Sequence, residues 1–161
     1  MIERLLREHR EITAIAARLR DALRSTTPDP EQLTACRWEL AKAMMQHLAY
    51  EDRHLYLPLE AHPDPDVAAV AQRFKAHVAD AQKEYEAHTA RWTGAAMAAD
   101  RRGYCVASIR QLQVLADRIR REERELFPLI PRLAERPGAV PAPTRNWARA
   151  ALDVHAALGT G

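Results

Sequence analysis

The stretch His47-Leu48-Ala49-Tyr50-Glu51-Asp52-Arg53-His54-Leu55-Tyr56-Leu57-Pro58 returns, altered, as Arg118-Ile119-Arg120-Arg121-Glu122-Glu123-Arg124-Glu125-Leu126-Phe127-Pro128. His47 corresponds to Arg118, Glu51 to Glu122, Asp52 to Glu123, Leu55 to Leu126 and Tyr56 to Phe127, and each copy then runs into a proline. Each reads as a helix end: a polar group four residues before a carboxylate, an apolar and aromatic plug, then a proline expected to halt the helix. In the first copy a histidine precedes the carboxylate, a pair suited to a metal. The second has arginine in its place. The reading of fold and function turns on that difference.

Outward from these ends, helical periodicity organises the chain. Leu5, His9, Ile12, Ile15, Ala16, Leu19 and Leu23 share a stripe that predicts a first helix over Ile2–Arg24. Asp29-Pro30-Glu31 supplies an N-cap, a first-position proline and a first-turn acid for a second helix, predicted over 30–57 and stopped by Pro58. Its inward seam reads Leu33, Cys36, Leu40, Met44, His47, Glu51 and then His54 or Leu55. Asp64-Pro65 repeats the device for a third helix over 65–91, with Val67, Val70, Phe74, His77, Ala81 and His88 on its buried side. Gly94 breaks or bends the chain before a fourth helix over 100–127, whose seam carries Cys105, Ser108, Gln111, Leu115, Arg118, Glu122 and Leu126. The expected architecture is all-α, an antiparallel up-down four-helix bundle over residues 1–135. A proline-rich linker and a short amphipathic C-terminal helix, packed through Trp147, Ala151, Val154 and Leu158, are expected over 136–161.

Composition agrees. The 161 residues include only five glycines, enough chain for one well-buried core. A net charge of +2, with basic runs interrupted by acids, reads as solvated helix faces and sets nucleic-acid binding aside. No run approaches the ~20 apolar residues of a membrane span, and no signal peptide opens the chain, so a cytoplasmic protein is expected. Cys36 and Cys105 fit no metal or redox spacing and read as reduced thiols. His62 and His155 fall off the seams and are expected at the surface, and Tyr56 reads as a core plug.

The seams carry the chemistry. His9, His47, Glu51, His77 and Glu122 lie on four different helices, at depths that antiparallel packing brings level. Burying ionisable groups on apolar stripes is costly unless they are paired or metal-bound. Mixed imidazole and carboxylate ligands suit iron, manganese or zinc, and bundles hold two metals through bridging carboxylates.

On these residues the chain resembles the hemerythrin-like family, the HHE cation-binding domains: Glu8-His9, His47 and Glu51 with Asp52, Ala76-His77, and Glu122-Glu123 followed by Leu126-Phe127-Pro128. The resemblance covers about residues 1–133. It implies a bundle holding a non-haem iron centre, di-iron ahead of mononuclear, bridged by Glu51 and Glu122 and meeting O2, NO or peroxide as a sensor, scavenger or oxidase, in a monomer or homodimer. The implied ligands are His9, His47, Glu51, His77 and Glu122.

Arg118 departs from the family pattern, which has histidine there, and Arg73 stands where the oxygen carriers have a further histidine ligand. An arginine stays protonated and ligates no metal. Three arrangements remain open. Arg118 swings away and leaves an open position or a substitute ligand, His54, Glu123 or Glu84; or one metal is held by His9, His47, Glu51 and His77 while Arg118 binds Glu122; or the guanidinium replaces metal between Glu51 and Glu122. The last would leave a metal-free, degenerate bundle acting as an interaction module.

Overall fold

The computed structural model describes residues 1–27 and 29–135, and every regular element among them is helical. The tail helix expected over 146–158 lies outside the described residues. In chain order the elements are α1 (Ile2–Arg24), α2 (Pro30–Glu51), α3 (Leu57–Glu60), α4 (Pro65–Arg91), α5 (Gly94–Ala99) and α6 (Arg101–Arg121). Asp29 and Asp64 cap α2 and α4 as expected, their carboxylates accepting the amide N–H groups of Glu31 and Asp66 at 2.9 Å. Gly94 opens a separate short helix capped by Thr93, and Asp100 caps α6 through the N–H of Gly103.

Both prolines expected to stop a helix do not. Asp52–Tyr56 and Glu122–Leu126 are wide π turns, and the chain continues helically beyond each, through α3 and through a 3₁₀ segment at Phe127–Glu135. In both copies the proline stands two residues past the wide turn. A helical proline donates no N–H and its ring collides with the carbonyl four residues back. Here that carbonyl, of His54 or Arg124, lies inside the wide turn. The preceding N–H groups reach five residues back instead, Leu57 to Asp52 O and Phe127 to Glu122 O. One extra residue per turn makes room for the ring.

The core forms at two levels. One cluster joins Leu5 from the beginning of α1, Val67, Ala71 and Phe74 from the beginning of α4, and Leu55, Leu59, Leu126 and Phe127 from around the two π turns. The other joins Leu19 and Leu23 at the end of α1 to Cys36 near the start of α2 and Tyr104 near the start of α6, with Trp92 packed against them. Each fully buried leucine contributes about 1.5–3 kcal/mol. Cys36 and Cys105 are free thiols beside this second cluster. No described helix is long and apolar enough to cross a membrane.

Candidate metal centre

Between the two apolar levels lie four buried side chains from three elements: His9, His47, Glu51 and Glu122, each at most 2% exposed. The helical stripes place them there. His9 sits one turn beyond Leu5 on α1, His47 and Glu51 one turn apart on α2, and Glu122 opens the second π turn.

Their ligand atoms converge. His9 Nε2 lies 3.2 Å from His47 Nε2 and 3.4 Å from Glu122 Oε2, and His47 Nε2 lies 3.5 Å from Glu51 Oε2. All four groups offer an atom within 4.8 Å of the others. Bonds of roughly 2.1 Å around a tetrahedral ion put neighbouring ligands about 3.4 Å apart, the separation the three close pairs already have.

The outer faces of the imidazoles are fixed. His9 Nδ1 lies 2.8 Å from Glu123 Oε1, and His47 Nδ1 lies 3.1 Å from Glu8 Oε2. A carboxylate at Nδ1 draws the proton to that nitrogen and leaves the Nε2 lone pair for a metal. Two such lone pairs 3.2 Å apart repel unless a proton or a cation sits between them. Two carboxylate atoms, Glu51 Oε1 and Glu122 Oε2, are buried without a hydrogen-bond partner among the described residues. Burial pushes His47 down to about 4, with His9 adding to the effect, so its ring is neutral and able to ligate at ordinary pH. The donor set and its orientation fit a metal.

Arg118 stands beside this set. Its Nε donates to Glu122 Oε1 at 2.6 Å and its Nη2 to Glu51 Oε2 at 3.3 Å, with the side chain 13% exposed. Tyr56 donates its hydroxyl to the same Glu122 Oε1 at 3.2 Å. Burial and the neighbouring Glu122 raise the Glu51 carboxyl well above its ordinary range. Burial would raise Glu122 too, but Arg118 and His9 outweigh it and hold that carboxyl at about 2. Without metal, Glu51 is thus the carboxyl of the pair that takes up a proton more readily, while Glu122 pairs with the guanidinium. Arg118 is held in its charged form by Glu122 and Glu51 against the cost of burial.

Other candidates lie elsewhere. His77 is half-buried, its Nδ1 buried with no hydrogen-bond partner among the described residues, and it stands outside the four-residue cluster, edge-on to Phe74. His54 is exposed and tilts against Tyr50, and Glu84 is exposed. Glu123 sits behind His9 rather than among the converging atoms. Arg73 is exposed, over the ring of Phe74. His62, expected at the surface, is buried: its Nδ1 accepts the N–H of Asp64 and its Nε2 meets the carbonyl of Arg132. That contact comes from the far end of the described chain, which local pattern does not show. Sequence reasoning gave Glu8 no role beyond its place in the Glu8-His9 pair, and so missed its contact with His47. It also missed that Tyr56, besides filling core, reaches Glu122, and that Phe127 stacks on His9 at 5.1 Å between ring centres.

The hemerythrin HHE cation-binding domain model matches residues 1–130. The chain belongs to the hemerythrin HHE family. No curated protein and no solved structure matches it. The match spans all four converging residues and both π turns, and the buried cluster is a group that could hold a cation.

Proposed function

We propose that this hemerythrin-family chain holds a single non-haem iron ion with His9, His47, Glu51 and Glu122, and that Arg118 takes the place of a second ion. The observation that carries the reading is the guanidinium of Arg118 spanning Glu51 and Glu122, the two carboxylates that would bridge a metal pair. A buried cation there does the electrostatic work of a second metal, offsetting carboxylate charge without offering a coordination site.

Two imidazoles with carboxylates suit ferrous iron that keeps open positions for a small molecule. Bound iron would supply electron exchange with O2, NO or peroxide. The protein's own share is definite. Glu8 and Glu123 hold the Nδ1 protons and so aim both rings. Arg118 and Tyr56 keep Glu122 ionised and fixed. Leu5, Leu55, Leu126 and Phe127, all buried, keep water from the centre on one side. With one metal and vacant positions, chemistry on a bound small molecule is favoured over reversible carriage.

The test is metal analysis after anaerobic loading with Fe(II), followed by NO titration read by electron paramagnetic resonance. About one iron per chain and a nitrosyl signal are expected. Two irons per chain would overturn the single-ion reading. No retained iron would favour the second reading, a metal-free bundle acting as a binding module, which the self-contained Arg118–Glu51–Glu122 network supports.

A further inference from the structure

Arg118 also forms part of the wall of a cavity of about 220 Å³ that the metal centre does not use. Met44 and Leu48 of α2, Val78 and Ala81 of α4, and Leu112 and Leu115 of α6 give it an apolar lining. Gln111, two turns before Arg118 on the same face of α6, also lines it, and beyond it His88 Nε2 and Ser108 Oγ satisfy each other at 3.1 Å. Among the described residues the hydrogen bonds of Arg118 use Nε and Nη2 alone, which leaves its Nη1 amino group for another acceptor.

Arg37 and Gln82 also line it, so an apolar chamber with two arginines and two amides in its wall describes its ligand. A cavity of about 150 Å³ takes up benzene, with six heavy atoms. By the same proportion, a space of about 220 Å³ takes about nine. Charge decides the head group. With a divalent ion held, Glu51, Glu122, Arg118 and the metal sum to one positive charge, which a single anion neutralises. An ammonium head would be repelled, and an alcohol would leave the remaining positive charge of the centre unbalanced.

We propose that this cavity binds a small aliphatic or aromatic monocarboxylic acid, tail among Met44, Leu48, Val78, Ala81 and Leu115, carboxylate accepting from Arg118 Nη1 and the Gln111 amide. The proposal rests on the single-iron reading for its charge balance. It places an organic acid beside the metal, so that Arg118 joins the two sites.

Octanoate, octanol and octylamine are the probes, titrated calorimetrically into chain loaded with Zn(II) as a redox-silent ion, with metal content measured on the same sample. Octanoate is expected to bind at least about tenfold more tightly than octanol, and octylamine not at all. Ala81→Phe, which fills the cavity and leaves Arg118 in place, is expected to abolish octanoate binding while the metal content stays unchanged. Arg118→Gln is expected to erase the preference of acid over alcohol. Equal affinity for acid and alcohol, no binding of either, or octanoate binding that survives Ala81→Phe each overturns the acid site. A sample without metal sinks the single-ion reading separately, and the acid site is then judged on that metal-free chain by the same preference.

Discussion

His9 and His47 face each other through their Nε2 atoms across 3.2 Å, each ring backed by a carboxylate, Glu123 for one and Glu8 for the other. The backing carboxylates set the tautomer and raise ligand basicity without belonging to the metal set. Glu8→Gln and Glu123→Gln are each expected to lower metal affinity by about 10–100-fold. Glu123 is 40% exposed, so its replacement is expected to leave the metal-free stability nearly unchanged. Competition with a calibrated chelator, alongside a thermal melt without metal, checks both. Unaltered affinity in both variants would show that the contacts are incidental.

Arg118 holds Glu122 at 2.6 Å from one turn away, the place His47 occupies relative to Glu51. Restoring the symmetry by Arg118→His should convert a one-ion site into a two-ion site, read as doubled iron per chain after loading. Arg118→Leu should instead leave the Glu122 carboxylate without its buried partner in the metal-free chain. Removing one partner of a buried pair costs about 3–5 kcal/mol, roughly a 10 °C fall in Tm for a domain of this size. Metal should recover most of that loss in the leucine variant. A leucine variant as stable as the parent without metal would mean that Arg118 does not carry the charge balance.

The architecture and most of this centre were legible in the sequence because they depend on local rules. Helical spacing put His9, His47, Glu51 and Glu122 on inward faces, and Asp29-Pro30 and Asp64-Pro65 announced two helix starts that the caps bear out. What stayed hidden depends on contacts between distant residues. Pro58 and Pro128 looked like terminators because nothing in the spacing announces a wide turn that absorbs their rings. The burial of His62 depends on the Arg132 carbonyl, and the role of Glu8 on α2. His77 shows the converse: it shares the helical stripe, yet the ion-ready cluster closes without it. The fate of Arg118 was a choice among three arrangements that only distances separate.

Protonation gives a third expectation. The folded chain holds His47 at about 4, against 6.5 when exposed, so between these values the unfolded state binds the extra proton. Stability of the metal-free protein therefore rises with pH across that window and falls as pH drops from 6.5 towards 4, by up to roughly 3 kcal/mol from this group. Glu51 acts in the opposite sense. Its raised folded value stabilises the chain most below 4.5 and loses that contribution as pH rises through the folded value. His47→Gln should flatten the acid limb selectively. Chemical denaturation at a series of pH values measures the slope, and an acid limb identical in the variant would assign it to other groups.

Tyr56 supplies the last test, because its hydroxyl meets Glu122 Oε1 at 3.2 Å while its ring fills the core. Burial, with Glu51 and Glu122 nearby, pushes the phenol far above its ordinary range, so it remains a proton donor at every pH the protein survives. It therefore acts as a fixed hydrogen bond to the carboxylate, not as a phenolate ligand. Tyr56→Phe keeps the ring and deletes the donor, which should cost about 1–2 kcal/mol in the metal-free chain. Glu122 remains paired with Arg118, so iron content should be unchanged. Oxidised, iron-loaded protein should lack a visible phenolate-to-iron band, and its spectrum should be the same in the variant. A coloured parent that bleaches on Tyr56→Phe would place the phenolate on the metal and displace Glu122 from the role argued for it.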